Sequence, residues 1–69
     1  MQIVSNLGEL MKERGLTYEE LQHRSKVAPD TVARARDARI ATCKLVTLAK
    51  LAEALEVDIC QLFQLIREK

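Results

Sequence analysis

Between His23 and Lys44 the chain sets six cations, Arg24, Lys26, Arg34, Arg36, Arg39 and Lys44, against only Asp30 and Asp37. That stretch has a formal surplus of four positive charges. The remainder holds five basic and eight acidic residues, so the total of +1 conceals a strong segregation. A concentrated basic stripe is the electrostatic footprint of a nucleic-acid contact. Within it, Arg34 has the chemistry to read sequence, because its planar fork matches guanine O6 and N7 in a bidentate pair. On a helix with Val32 turned inward, Pro29, Asp30, Ala33 and Arg34 share the outward face. Asp30 stands four residues before Arg34. It can accept from a cytosine amino group or hold Arg34 through an i, i+4 pair, and the orienting role fits better because phosphates repel a carboxylate. Ala33 offers a methyl to a thymine methyl, or simply room for close approach. Thr17, Tyr18 and Thr31 supply hydroxyls that suit phosphate oxygens and set register without reading bases. Arg36, Arg39 and Lys44 read as clamps on the same phosphate backbone.

The other reactive side chains point nowhere else. Cys43, Cys60 and His23 make three candidate ligands, whereas structural zinc takes four. The two thiols are expected to be free and buried, since unpaired cysteine behaves as a small hydrophobe, and His23 to lie on an outer helix face. No metal, cofactor or small-molecule ligand is implied. One histidine, no glycine-rich phosphate loop and no nucleophile with a visible base leave no catalytic inventory, so an enzyme is not expected.

Those residues are positioned by short helical patterns. Thr17 and Glu20 have the spacing of a capping box, with Leu16 and Leu21 at the positions of a hydrophobic staple, and a helix is predicted over Tyr18 to Ser25. Pro29 suits the first position of the next helix because its φ is fixed and it has no N–H to leave unpaired. That helix should run to about Arg36, with Val32 and Ala35 inward. Between the two lies Lys26-Val27-Ala28, a sharp corner. Helix, tight turn, helix is the arrangement that offers one helix to the DNA major groove.

Around this pair the pattern predicts three further helices. The first carries Ile3, Leu7, Leu10, Met11 and Arg14; it starts either at Asn6, with Glu9, or near Ile3, and Gly15 ends it as a left-handed residue. After a loop over Asp37 to Ala41, Thr42 is the expected cap of a fourth helix, with Leu45, Leu48, Ala49, Leu51, Ala52 and Leu55 as its apolar stripe. Asp58 then opens a fifth, with Gln61 at the box position and Val57 and Leu62 as a second staple. Its inward face is Ile59, Leu62, Phe63 and Ile66, with Leu65 off that face. The expected core gathers Val32, Ala35, Leu48, Leu51, Leu55, Leu62 and Phe63.

Leu16-Thr17-Tyr18-Glu19-Glu20-Leu21, Val27 with Thr31-Val32-Ala33-Arg34, and Leu48 through Val57 together resemble the Cro/repressor-type helix-turn-helix family, the XRE family of bacterial and phage transcription regulators. The resemblance runs from about Leu7 to Phe63. It implies an all-α, five-helix, lambda-repressor-like domain that docks its third helix in the major groove, as a dimer on a palindromic site. The chain departs from the family pattern at Tyr18, where glutamine is usual, and at Gln22, where a small residue is usual. Lys26 and Glu56 replace glycines, and Ala28 replaces a capping serine or aspartate.

With 69 residues and 48% apolar content, the chain suits one domain over 1–69 with a small core. The N-terminus lacks the basic and apolar regions of a signal peptide, and no apolar run reaches the ~20 residues of a membrane span. A cytoplasmic protein without membrane contact is expected. Its expected function is sequence-specific binding of double-stranded DNA as a transcriptional regulator, a repressor, with the third helix in the major groove. A homodimer is expected through the C-terminal helix, where Leu65 and Ile66 are apolar and Arg67, Glu68 and Lys69 form a polar rim. The alternative is a protein-interaction or antitoxin-like module on the same fold, because Ala28, Asp30 and Ala33 leave the third helix poor in donors. A single-strand binder would need exposed stacking aromatics, and the chain has only Tyr18 and Phe63, of which Phe63 reads as core, so duplex DNA is the better partner.

Overall fold

The computed structural model describes residues 1–67. In chain order it contains strand β1 (Gln2–Ser5), helices α1 (Leu7–Arg14), α2 (Tyr18–Ser25) and α3 (Pro29–Ala35), and a 3-10 turn over Ala38–Thr42. Helix α4 (Leu45–Leu55), a second 3-10 turn over Ile59–Gln61 and strand β2 (Phe63–Ile66) complete it.

Local signals fix most helix ends. At α2 the Thr17 hydroxyl accepts the Glu20 N–H at 3.2 Å while the Glu20 carboxylate accepts the Thr17 N–H at 3.2 Å, closing the expected box. Pro29 takes the first position of α3, after an Ala28 that provides no side-chain cap. Gly15 ends α1 in the left-handed region at φ 64°. Lys26 and Glu56 close α2 and α4 in the same region, at φ 58° and 59°, without the freedom of a glycine.

The expectation of five helices and an all-α chain is corrected. Among the described residues four α-helices are joined by a two-stranded antiparallel sheet, with Gln2 opposite Ile66, Ile3 opposite Leu65, Val4 opposite Gln64 and Ser5 opposite Phe63. The start signal at Asp58 does operate, since the Gln61 side chain accepts the Asp58 N–H at 2.9 Å. Yet it opens only one 3-10 turn. Phe63-Gln64-Leu65-Ile66 alternates apolar and polar over its first three residues, and Gln2-Ile3-Val4-Ser5 is β-branched at its centre, so pairing satisfies both backbones. The Asn6 N–H extends the junction by donating to the Leu62 carbonyl at 2.8 Å. Phe63 and Leu65 therefore share a sheet face, in place of the helical face expected for Ile59, Leu62, Phe63 and Ile66. The same pairing excludes a first helix beginning near Ile3. Asn6 takes the N-cap position of α1 but makes no side-chain cap; instead the Ser5 hydroxyl accepts the Leu7 N–H at 3.2 Å.

Thr42 does not cap α4 either. Its hydroxyl donates to the Arg39 carbonyl at 2.7 Å within the 3-10 turn, and Lys44 is the N-cap. Beginning there, α4 turns Leu48, Leu51, Ala52 and Leu55 inward and leaves Leu45 and Ala49 exposed. Those four pack with Leu7, Met11, Leu21, Val27, Val32, Ala35, Ile40 and Leu62 as the core, and Phe63 lies half-buried at its margin. The thiols are free, but neither is fully buried: Cys43 is half-buried at the end of the first 3-10 turn, and Cys60 is exposed on the second, which turns no side chain fully inward. Among the described residues no helix is long and apolar enough to cross a membrane. Glu68 and Lys69, expected in a polar rim, lie outside the described residues.

Candidate nucleic-acid interface

The turn between α2 and α3 is built from buried small contacts. Ser25 is buried, donates its hydroxyl to the Leu21 carbonyl at 2.6 Å and accepts the Val27 N–H at 3.3 Å. Val27 is then driven into the core, and left-handed Lys26 redirects the chain. With Val32 and Ala35 wholly buried, α3 has no freedom of rotation about its axis. Pro29, Asp30, Ala33 and Arg34 consequently all face solvent, as their spacing predicts.

The candidate residues fall into three groups. In the first, Thr31 and Arg34 of α3 meet Lys44 across a polar cleft of about 290 Å³, whose other walls are Thr42, Cys43 and Thr47. Two cations and three hydroxyls around one concavity suit an anionic oxygen-rich ligand. Arg34 lines this cleft, and among the described residues no ion pair joins it to Asp30, so the orienting pair expected from their i, i+4 spacing is not formed.

The second group joins Tyr18 and Arg36. The Arg36 guanidinium carbon lies 4.6 Å from the centroid of the Tyr18 ring, within cation–π range. Thr17, next to Tyr18, has its hydroxyl committed to the capping box, donating to Glu20 Oε1 at 3.2 Å while it accepts the Glu20 N–H.

The third group is Arg39. Its Nη2 donates to Asp37 Oδ2 at 2.8 Å and its Nε to Oδ1 at 3.0 Å, while its backbone N–H reaches Oδ1 at 2.8 Å. Both side chains are solvent-exposed, so the pair contributes local order more than stability. Hydrogen bonds from the Arg39 side chain and backbone hold the Asp37 carboxyl below its ordinary range. Two of the guanidinium nitrogens are thus committed within the protein, and Nη1 remains for an outside acceptor.

Spacing alone did not mark Thr42, Cys43 or Thr47 as neighbours of Arg34. Thr47 had a usable signal, three residues beyond Lys44 and so on one side of the α4 entry. Gly8 had none; an added Cβ there would meet the Arg36 guanidinium at 3.3 Å. His23 is exposed on α2, outside these groups. No cluster of three His, Cys, Asp or Glu side chains suited to a metal occurs among the described residues.

A family model described as a Cro/C1-type HTH DNA-binding domain matches residues 6–68. No curated protein and no solved structure matches the chain. The matched span takes in all four helices and the second strand, with the helix-turn-helix of α2 and α3 at its centre. The chain belongs to the family of Cro/C1-type helix-turn-helix DNA-binding domains.

Proposed function

We propose that this protein is a sequence-specific regulator of transcription that binds double-stranded DNA with α3 in the major groove, and that it acts as a repressor by occupying its site. The observation that carries this reading is the exposed edge of α3. Pro29, Asp30, Ala33 and Arg34 face outward together, and the cations of Arg36 and Lys44 flank them. An arginine on a helix at groove depth reads guanine, and cations to either side hold the phosphates that fix its register. In this reading Arg34 supplies base readout, with Pro29, Asp30 and Ala33 against neighbouring base edges. Thr31, Lys44, Tyr18 and Arg36 take phosphates, together with Arg39 through its remaining nitrogen and Thr17 at the α2 entry. The role is non-enzymatic and belongs to the cytoplasm.

The protein acts as a homodimer in this proposal, because one module contacts few base pairs and a twofold pair selects a palindrome with half-sites about one helical turn apart. Leu65, on β2, is 44% exposed and stands opposite Ile3. Ile3 lines an apolar cleft with Leu45, Phe63 and Cys43, and Leu45 is 72% exposed. This apolar margin at the C-terminal strand supports self-association there. Selection from random duplexes, followed by affinity measured against salt, tests the whole reading. Enrichment of a palindromic sequence and steep weakening with salt are expected. Selection that enriches nothing, or binding indifferent to salt, returns the fold to a protein-interaction role.

A further inference from the structure

Arg36 is oriented without a carboxylate. Its guanidinium carbon lies over the Tyr18 ring, and among the described residues no acidic side chain pairs with it. The other side of the group meets α1. A Cβ added to Gly8 would stand 3.3 Å from Nη2, 3.4 Å from Nε and 3.8 Å from Cζ. Both nitrogens are nearer than the carbon, so Gly8 borders the Nε–Nη2 edge, while the centroid of the Tyr18 ring lies 4.6 Å from the guanidinium carbon. Nη1 therefore points away from α1. Gly8 has no left-handed backbone to explain it, since Gly15 is the glycine with positive φ. A glycine inside a helix is disfavoured against alanine by its greater loss of backbone freedom. What its missing side chain provides is the space in which Arg36 lies.

We propose that Gly8 is a positioning residue of the DNA-binding surface. By leaving that space open it lets α1 and Tyr18 hold Arg36 as a pre-ordered clamp for one phosphodiester of the duplex backbone. The proposal rests on the DNA-binding reading above. An arginine loses much rotamer freedom when it fixes a phosphate, and a side chain already stacked and bordered loses less. An alanine at position 8 crowds the Nε–Nη2 edge, which must give by a few tenths of an ångström and shift against the ring, while it favours the helix itself. Helix stability and phosphate binding then move in opposite directions, which a purely structural role for Gly8 does not produce.

The test uses the full chain as wild type, G8A, R36A and the double variant, with two measurements. Nuclear magnetic resonance of the arginine Nε–Hε group reports the order of Arg36 without DNA, and affinity for a duplex of random sequence is read against salt. In the wild type the Arg36 signal is displaced by the Tyr18 ring current. G8A returns it toward the position of a free arginine, with a thermal midpoint equal to or above wild type. R36A weakens binding about fivefold at about 0.15 M salt and makes the salt slope shallower by about one, the share of one neutralised phosphate. G8A weakens it about two- to fivefold, and adds nothing in the R36A background because both act through one group. A G8A protein with an undisplaced Arg36 signal and wild-type affinity overturns the proposal, as does a G8A effect that persists in full without Arg36. If the wild type binds with a steep salt slope and R36A binds as tightly, the clamp falls and the DNA-binding reading stands. If the wild type shows the Arg36 displacement but no salt-dependent duplex binding, the functional reading falls and takes the clamp with it.

Discussion

The Ser5 hydroxyl of β1 donates to the carbonyl of Ala35, the last residue of α3, and accepts the Leu7 N–H at the start of α1. One oxygen thereby joins the strand, the first helix and the C-terminal end of the helix that carries Arg34. Ser5→Ala removes both contacts and leaves two polar groups in partly buried surroundings, at a cost of about 1–2 kcal/mol. Denaturant unfolding measures this, and faster amide exchange confined to the end of α3 and the start of α1 accompanies it. An unchanged midpoint means that water replaces the hydroxyl without loss.

Lys26 and Glu56 hold left-handed backbone at φ 58° and 59°. That conformation costs a residue with a Cβ roughly 1 kcal/mol or more, and glycine escapes it at the expense of greater freedom in the unfolded chain. Lys26→Gly and Glu56→Gly each stabilise the protein by about 0.5 kcal/mol, and the two changes add because the sites share no partner. Thermal unfolding of the single and double variants checks both magnitude and additivity.

Asp37 titrates below its ordinary value because the Arg39 side chain and N–H donate to it. A carboxylate with a depressed folded-state pKa adds stability above its unfolded pKa, and that contribution is lost as pH falls through the folded value. The 3-10 turn over Ala38–Thr42 should therefore loosen only in acid, below the usual carboxylate range. Arg39→Ala moves the Asp37 titration back up toward the ordinary value, which carboxyl resonances followed against pH report directly. Since both side chains are exposed, global stability near neutrality should hardly change.

Arg34 and Lys44 line one cleft and are predicted to fail differently. Arg34→Ala costs about 1–3 kcal/mol on the selected site and relaxes the preference at one base position. Lys44→Ala weakens all duplexes alike and flattens the salt slope by about one. Competition between the selected site and random duplex separates them. Equal losses on both duplexes for Arg34→Ala remove it from base readout.

Leu65 is apolar and exposed beside the cleft that Ile3 and Leu45 line. Leu65→Glu is expected to convert a dimer to a monomer at micromolar concentration in sedimentation, with its helical content retained. A dimer that survives the change has its interface elsewhere, and a wild type that sediments as monomer both alone and on DNA contradicts self-association.

The helix boundaries that sequence alone determined are those set by neighbours a few residues away. The Thr17–Glu20 box, Pro29 after Ala28 and the left-handed Gly15 each act within one turn, and the structure places α2 and α3 where those signals put them. The outward face of α3 was legible for the same reason, since Val32 and Ala35 fix its rotation through helical periodicity. The C-terminal segment carried an equally good local start at Asp58, and the signal did form a turn. The conformation of Phe63–Ile66 beyond that turn was decided by Gln2–Ser5 at the opposite end of the chain, because a strand needs a partner and its partner is not written in its own residues. A helix satisfies its backbone within itself, and a strand cannot. The Gly8–Arg36–Tyr18 contact and the Thr31–Arg34–Lys44 cleft belong to that second kind. Each joins side chains from separate elements, and only packing around the core sets their distances.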